Sequence, residues 1–181
     1  MTDQLLTALC SSVTGGIIAL TGVLLTNRSS TARLTIQLDH EAESRKAQTL
    51  RERGEELYVL MQNWLTFFAN HYLRLSQVMK GSLTYNQFLD LEIEAANHNP
   101  MEFPRIELLI DIYYPSARQA YDAIMARRAD IVKIEGAHHR AYQAGDTDGT
   151  RFLKAYVQAQ KAVEAAGETF KVELTKAIQT I

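Results

Sequence analysis

Leu5–Thr26 reads LLTALCSSVTGGIIALTGVLLT, about 22 residues without a charged side chain, bounded by Asp3 and Arg28. At about 1.5 Å per residue a helix of this length reaches roughly 33 Å, enough to cross a hydrocarbon core of about 30 Å. The stretch therefore predicts a transmembrane helix within an anchor of residues 1–27. A cleaved secretory signal fits less well. Such a signal needs a basic n-region, a shorter apolar run and a small-x-small cleavage site. Here Met1-Thr2-Asp3-Gln4 has no Lys or Arg, and Leu24-Leu25-Thr26-Asn27-Arg28 closes the run. A lipoprotein signal ending at Cys10 would have Leu9 where a small residue belongs.

The flanking charges predict an orientation. No Lys or Arg precedes the run, whereas Arg28 and Arg33 follow it, with Arg45 and Lys46 further on. Positive charge stays on the cytoplasmic side, so the expectation is a cell-membrane protein with its N-terminus out and its C-terminal domain cytoplasmic. Within the run, Ala8, Ser12, Gly15, Ala19, Gly22 and Thr26 recur at intervals of three and four, with Gly16 beside them. Small residues on one face let helices approach closely in lipid. This stripe predicts a helix-association seam and a homo-oligomer. Cys10 lies beside the seam and is the chain's one cysteine, so no internal disulfide framework exists.

Residues 28–56 are strongly charged and poor in large apolar side chains, with six acidic and six basic residues from Arg28 to Glu56. Pairs such as Glu41–Arg45 support a solvated helical stalk. Ile36, Leu50 and Leu57 sketch a heptad that Glu43 breaks, so no sustained coiled coil is expected. Gly54 reads as a hinge or as a tolerated exposed glycine.

Residues 57–181 carry amphipathic helices, which predicts an up-and-down helical bundle and, for the whole chain, an all-α fold. Leu57, Met61, Trp64, Phe68, Tyr72, Leu75 and Val78 recur at helical spacing, ended by Lys80 and Gly81 as a basic last turn and C′ glycine. Thr84-Tyr85-Asn86-Gln87 has the form of a capping box and opens a helix to about Asn97. Pro104 suits the first turn of the next helix, and Pro115 ends it and begins another that fades at Gly136. A polar loop at 144–150 precedes the last helix.

No pattern of reactive residues stands out. His71 lies on the apolar face of the long helix and reads as a hydrogen-bonded core histidine. His138 and His139 point about 100° apart on a helix, and the histidine spacings give no metal site. Asp146-Thr147-Asp148-Gly149 resembles the middle of a calcium loop, but Ala144 and Ala155 occupy positions that need oxygen ligands, so a turn is expected. There is no P-loop, dinucleotide fingerprint or nucleophile elbow, hence no cofactor is predicted. Arg118, Arg127, Arg128 and Arg140 near Asp111, Asp122 and Asp130 predict a solvated ion-paired surface. Tyr113, Tyr114 and Tyr121 read as packing residues with hydroxyls at the edge. A net charge of −2 gives no footprint for nucleic acid.

The segments GGIIALTGVLLTNR (15–28), RERGEELY (51–58) and RIELLIDIYYP (105–115) resemble a group of small bacterial proteins with one N-terminal span and a cytosolic helical domain. The resemblance implies a bacterial inner membrane and carries no catalytic motif. Together these features predict a single-pass, non-enzymatic interaction or scaffold protein whose partners are the bilayer, further copies of itself and a cytoplasmic protein. A self-assembling, membrane-perturbing effector is the alternative, and an unrecognised helical active site a third reading that clustered ionisable residues in a cleft would favour.

Overall fold

The computed structural model describes the backbone of residues 2–98, 100 and 102–181, and the side chains of this set from Arg33 onward. The described residues form five α-helices: α1 (Thr2–Met79), α2 (Tyr85–His98), α3 (Phe103–Tyr113), α4 (Arg118–Gln143) and α5 (Thr150–Gln179). A short 3₁₀ turn, Pro115–Ala117, leads into α4, and no strand occurs among the described residues. The fold is thus all-helical. The side chains of the uncharged run, including Ala8, Ser12, Gly15, Gly16, Ala19, Gly22 and Thr26, and that of Arg28 lie outside the described residues. Among the described residues no helix is long and apolar enough to cross a membrane.

The chain divides into two compact units, Met1–Gln48 and Thr49–Ile181. In the first, residues 33–46 are exposed throughout. Arg33 is among them, and Arg45 Nη2 meets Glu41 Oε2 at 2.9 Å as an i,i+4 pair. Leu34, Ile36 and Leu38 are each more than half exposed.

The second unit is a helical bundle whose core follows the apolar stripes. From α1 come Leu57, Met61, Trp64, Phe68, Tyr72 and Leu75, and from the other helices Ile106, Leu109, Ile124, Tyr156 and Phe170, all buried. Local chemistry sets the helix ends. Gly81 takes φ +72°, and its N–H donates to Val78 O, closing α1 as expected of a C′ glycine. The Thr84 N–H donates to Gln87 Oε1 at 2.9 Å, and the Gln87 N–H to Thr84 Oγ1 at 3.3 Å, a reciprocal capping box opening α2. Pro104 sits in the first turn of α3.

Three expectations change. Gly54 is buried. A Cβ there would lie 2.5 Å from Ile178 Cγ1 and run into the Tyr114 hydroxyl, which donates to Leu50 O at 2.5 Å. It is a close-packing glycine, not an exposed one. Helix α4 does not fade at Gly136 but runs to Gln143, because His138 and the half-buried Tyr142 prolong its core-facing stripe. The Tyr121 hydroxyl is not at an edge: the residue is 2 % exposed, and its oxygen is buried without a hydrogen-bond partner.

Candidate functional site

On α1, Phe68, His71, Tyr72 and Leu75 share one side of the helix by i,i+3 and i,i+4 spacing. Leu75 and Tyr72 are buried, while His71 sits at the margin with a fifth of its side chain exposed. Its Nδ1 lies 2.8 Å from Glu92 Oε2 on α2, and its Nε2 lies 3.0 Å from Glu135 Oε1 on α4. An ionised carboxylate only accepts, so both ring nitrogens donate and the ring is an imidazolium. Burial alone would lower the His71 pKa. The hydrogen bonds to Glu135 and then Glu92, with their charges, outweigh it and hold the pKa above the ordinary histidine value.

The clamp extends in both directions. Arg74, one turn after His71, donates to Glu92 Oε1 at 2.8 Å. The Tyr156 hydroxyl on α5 donates to Glu135 Oε1 at 3.1 Å. Burial, then the Glu135 charge, pushes the Tyr156 phenol far above its ordinary pKa. Four helices therefore meet through one imidazolium and two carboxylates. The expected hydrogen-bonded histidine is present, but its partners are ionic and lie 21 and 64 residues away.

Beside the clamp opens a cavity of about 280 Å³, walled by Phe67, Phe68, Phe103, Ile131 and Val132, with His71, Tyr72, Glu92, Arg128 and Glu135 supplying its polar groups. Arg128 departs from the expected solvated ion-paired surface. Its guanidinium carbon lies 4.9 Å from the centre of the Phe68 ring, a cation–π distance. Its Nε is buried without a partner, and among the described residues no carboxylate pairs with it. Arg118 does pair with Asp111 and, at 3.9 Å, with Asp122.

A second histidine has the opposite surroundings. His138 is fully buried, and neither ring nitrogen has a hydrogen-bond partner. Phe152, Tyr85 and Tyr142 surround it at ring distances of 5.6, 6.1 and 6.1 Å. Burial first, then electrostatic interaction with His139 and Arg151, lowers its pKa. Its neighbour His139 is exposed and stacks on the same Tyr85 ring, at 4.8 Å.

The Asp146–Gly149 segment is a turn. Asp148 Oδ1 accepts the Thr150 N–H at 3.0 Å, and Asp146 pairs with Arg151 at 2.8 Å. The Gly149 N–H donates to Met79 O at 3.1 Å, tying the start of α5 to the end of α1 over the His138 ring.

Sequence reasoning missed the roles of Glu92, Glu135 and Tyr156, and read Arg128 as part of a solvated ion-paired surface. One signal was available. Glu135 interrupts the apolar stripe between Ile131 and His138, and an acidic residue on a core-facing stripe needs a partner. Glu135 and His138 also stand at Glu-x-x-His spacing, but Glu135 is committed to His71 and Tyr156. No protein-family model matches the chain, and comparison with curated proteins and with solved structures finds no match.

Proposed function

We propose that this chain is a membrane-tethered interaction module of a bacterial inner membrane, working through binding rather than catalysis. The uncharged run Leu5–Thr26 carries the reading, with Arg28 and Arg33 on its C-terminal flank setting the N-terminus outside and the bundle in the cytoplasm. The clamp supports a binding role. A general base needs a free lone pair within reach of a substrate proton, and His71 has both nitrogens committed to carboxylates. Glu92 uses both oxygens, on His71 and Arg74, and Glu135 uses Oε1 on His71 and Tyr156. The seam Ala8, Ser12, Gly15, Gly16, Ala19, Gly22 and Thr26 would pair copies within the bilayer, leaving the bundle to meet a cytoplasmic protein.

Cysteine-accessibility mapping in intact cells tests the tether. On a Cys10→Ser background, Thr2→Cys should react with an impermeant maleimide, and Ser44→Cys only after lysis. Labelling of both or neither in intact cells, or release of the protein by alkaline carbonate, would overturn it. Recovery of no specific protein from cross-linked membranes, together with strictly monomeric protein in mild detergent, would remove the interaction reading. The small-residue stripe also suits a membrane-perturbing effector. That reading predicts depolarisation on expression that Gly15→Leu with Gly22→Leu abolishes.

A further inference from the structure

Helix α2 buries little of itself. Phe88 is its one buried residue, whereas α4 and α5 bury five each. Its first turn is held from α4, where Tyr85 stacks on His139 at 4.8 Å and meets the Tyr142 ring at 5.2 Å. From Ile93 to His98 every residue is exposed except the half-buried Ala95. His98 bonds only back to Glu94 O within the helix. Among the described residues, Glu92 is therefore the last side chain that ties α2 to another element by a hydrogen bond.

That tie depends on one proton. His71 receives Glu92 from α2 and Glu135 from α4, at 2.8 and 3.0 Å, on opposite ring nitrogens. Arg74 on α1 and the Tyr156 hydroxyl on α5 bond to these carboxylates rather than to the ring. Tyr72 on α1 and Arg128 on α4 line the cavity beside it. A neutral imidazole carries one N–H. Once the ring loses its proton, one nitrogen turns a lone pair toward a carboxylate oxygen, and that contact must open. Glu135 is the harder carboxylate to move, because the buried Tyr156 also holds it and α4 is anchored by five buried residues. Glu92 sits on a helix anchored by one, and the long side chain of Arg74 can follow it outward.

We propose that His71 is a pH-sensitive latch: the charged ring pins the second half of α2 against the bundle, and the neutral ring lets that half swing away about Tyr85, opening the cavity on its Glu92 side. The His71 pKa stands above the ordinary 6.5, so the latch is closed below that value and opens as pH rises through the folded pKa. The latch stands whether or not Leu5–Thr26 crosses a membrane, so its failure and that of the tether are separate results.

Hydrogen exchange read by mass spectrometry tests it, on the full chain in an uncharged detergent at about pH 6 and 8.5, a range that spans histidine titration. Rates are corrected for the intrinsic rise of amide exchange with pH. A helix of 14 residues is marginal in water by itself, so release shows as exchange. Amides of 93–98 should lose at least about tenfold of their protection on going to the higher pH, and should exchange at least about tenfold faster there than the slowest amides of α4 and α5. His71→Gln has no titrating ring and should make exchange of 93–98 independent of pH. Glu92→Gln accepts from the charged ring and donates to the neutral one, so it too should remove the pH dependence, which keeps the test decisive if His71→Gln does not fold. Protection of 93–98 that is equal at both pH values, exchange of 93–98 no faster than that of α4 and α5, or a pH dependence that survives in folded Glu92→Gln protein would overturn the proposal.

Discussion

His71 and His138 occupy the same bundle and solve opposite problems. His71 keeps its charge by holding two carboxylates that reach it from α2 and α4, while His138 is enclosed by Phe152, Tyr85 and Tyr142 and gives its charge up. The contrast arises from what faces each ring. An acceptor on either side turns burial into a reason to stay protonated; an aromatic cage turns the same burial into a reason to stay neutral. One histidine therefore ties helices together, and the other contributes packing at the expense of two unsatisfied nitrogens.

The largest expected effect comes from breaking the clamp at its most connected member. Glu135→Ala leaves His71 held by Glu92 alone and the fully buried Tyr156 hydroxyl without an acceptor. Removing one partner of a charged hydrogen-bond network costs about 2–3 kcal/mol at sites with this modest exposure. Urea unfolding of the full chain in detergent should show that loss as a lower midpoint at unchanged m. A loss below about 0.5 kcal/mol would place the cluster with ordinary surface ion pairs.

The His138 side breaks differently, through its lid. A Cβ on Gly149 would lie 2.7 Å from Met79 Cα and 2.6 Å from His138 Nε2. The Met79 contact is with backbone, which cannot swing aside, so Gly149→Ala should cost about 2 kcal/mol through overpacking. Pairing it with His138→Ala should recover only part of that loss, because the Met79 contact stays. Full recovery would show that the imidazole alone sets the limit.

How legible was this contrast in the sequence? Most helix ends were, because their causes are local: the Thr84–Gln87 box, Pro104, Pro115 and Gly81 act over three or four residues, whereas the end of α4 at Gln143 depends on what its last turns pack against. The core stripe of α1 was legible for the same reason, since periodicity survives whatever packs against it. The clamp was not. His71 looks alike in sequence whether its neighbours are carboxylates or rings, and Glu135 signals only that it needs a partner, which His71 becomes once α4 lies beside α1. Arg128 follows the same logic. Its place over Phe68 depends on helix rotation, and a run of arginines among aspartates reads as solvated until that rotation is known. Gly54 and Gly149 were misread or passed over because a close approach is a property of two segments, here Tyr114 and Ile178 against Gly54 and Met79 and His138 against Gly149.

A sharper and smaller contrast is the sign of a single replacement. His138→Leu removes two unpaired nitrogens from an apolar cage and should stabilise the bundle by about 1 kcal/mol, whereas His71→Leu removes the partner of two carboxylates and should destabilise it. Thermal melts of the two variants would then move in opposite directions. If both lower the melting temperature, an acceptor for His138 is present in solution, most simply a bound water.

The smallest effect, and the most specific, is in pH. The folded pKa of His71 is raised above the ordinary 6.5, so its contribution is complete below that value and is lost as pH rises through the folded pKa. The folded pKa of His138 is lowered, so its contribution is complete above 6.5 and is lost as pH falls through the folded pKa. Unfolding midpoints between about pH 5 and 8, the range in which histidine titrates, should therefore carry two slopes of opposite sign. His138→Leu should flatten only the acid limb. His71→Gln keeps polar contacts to the carboxylates without a titrating ring and should flatten only the alkaline limb. Profiles that shift together, or a single slope insensitive to either replacement, would mean that the two rings share one environment, against the geometry of the carboxylate clamp and the aromatic cage.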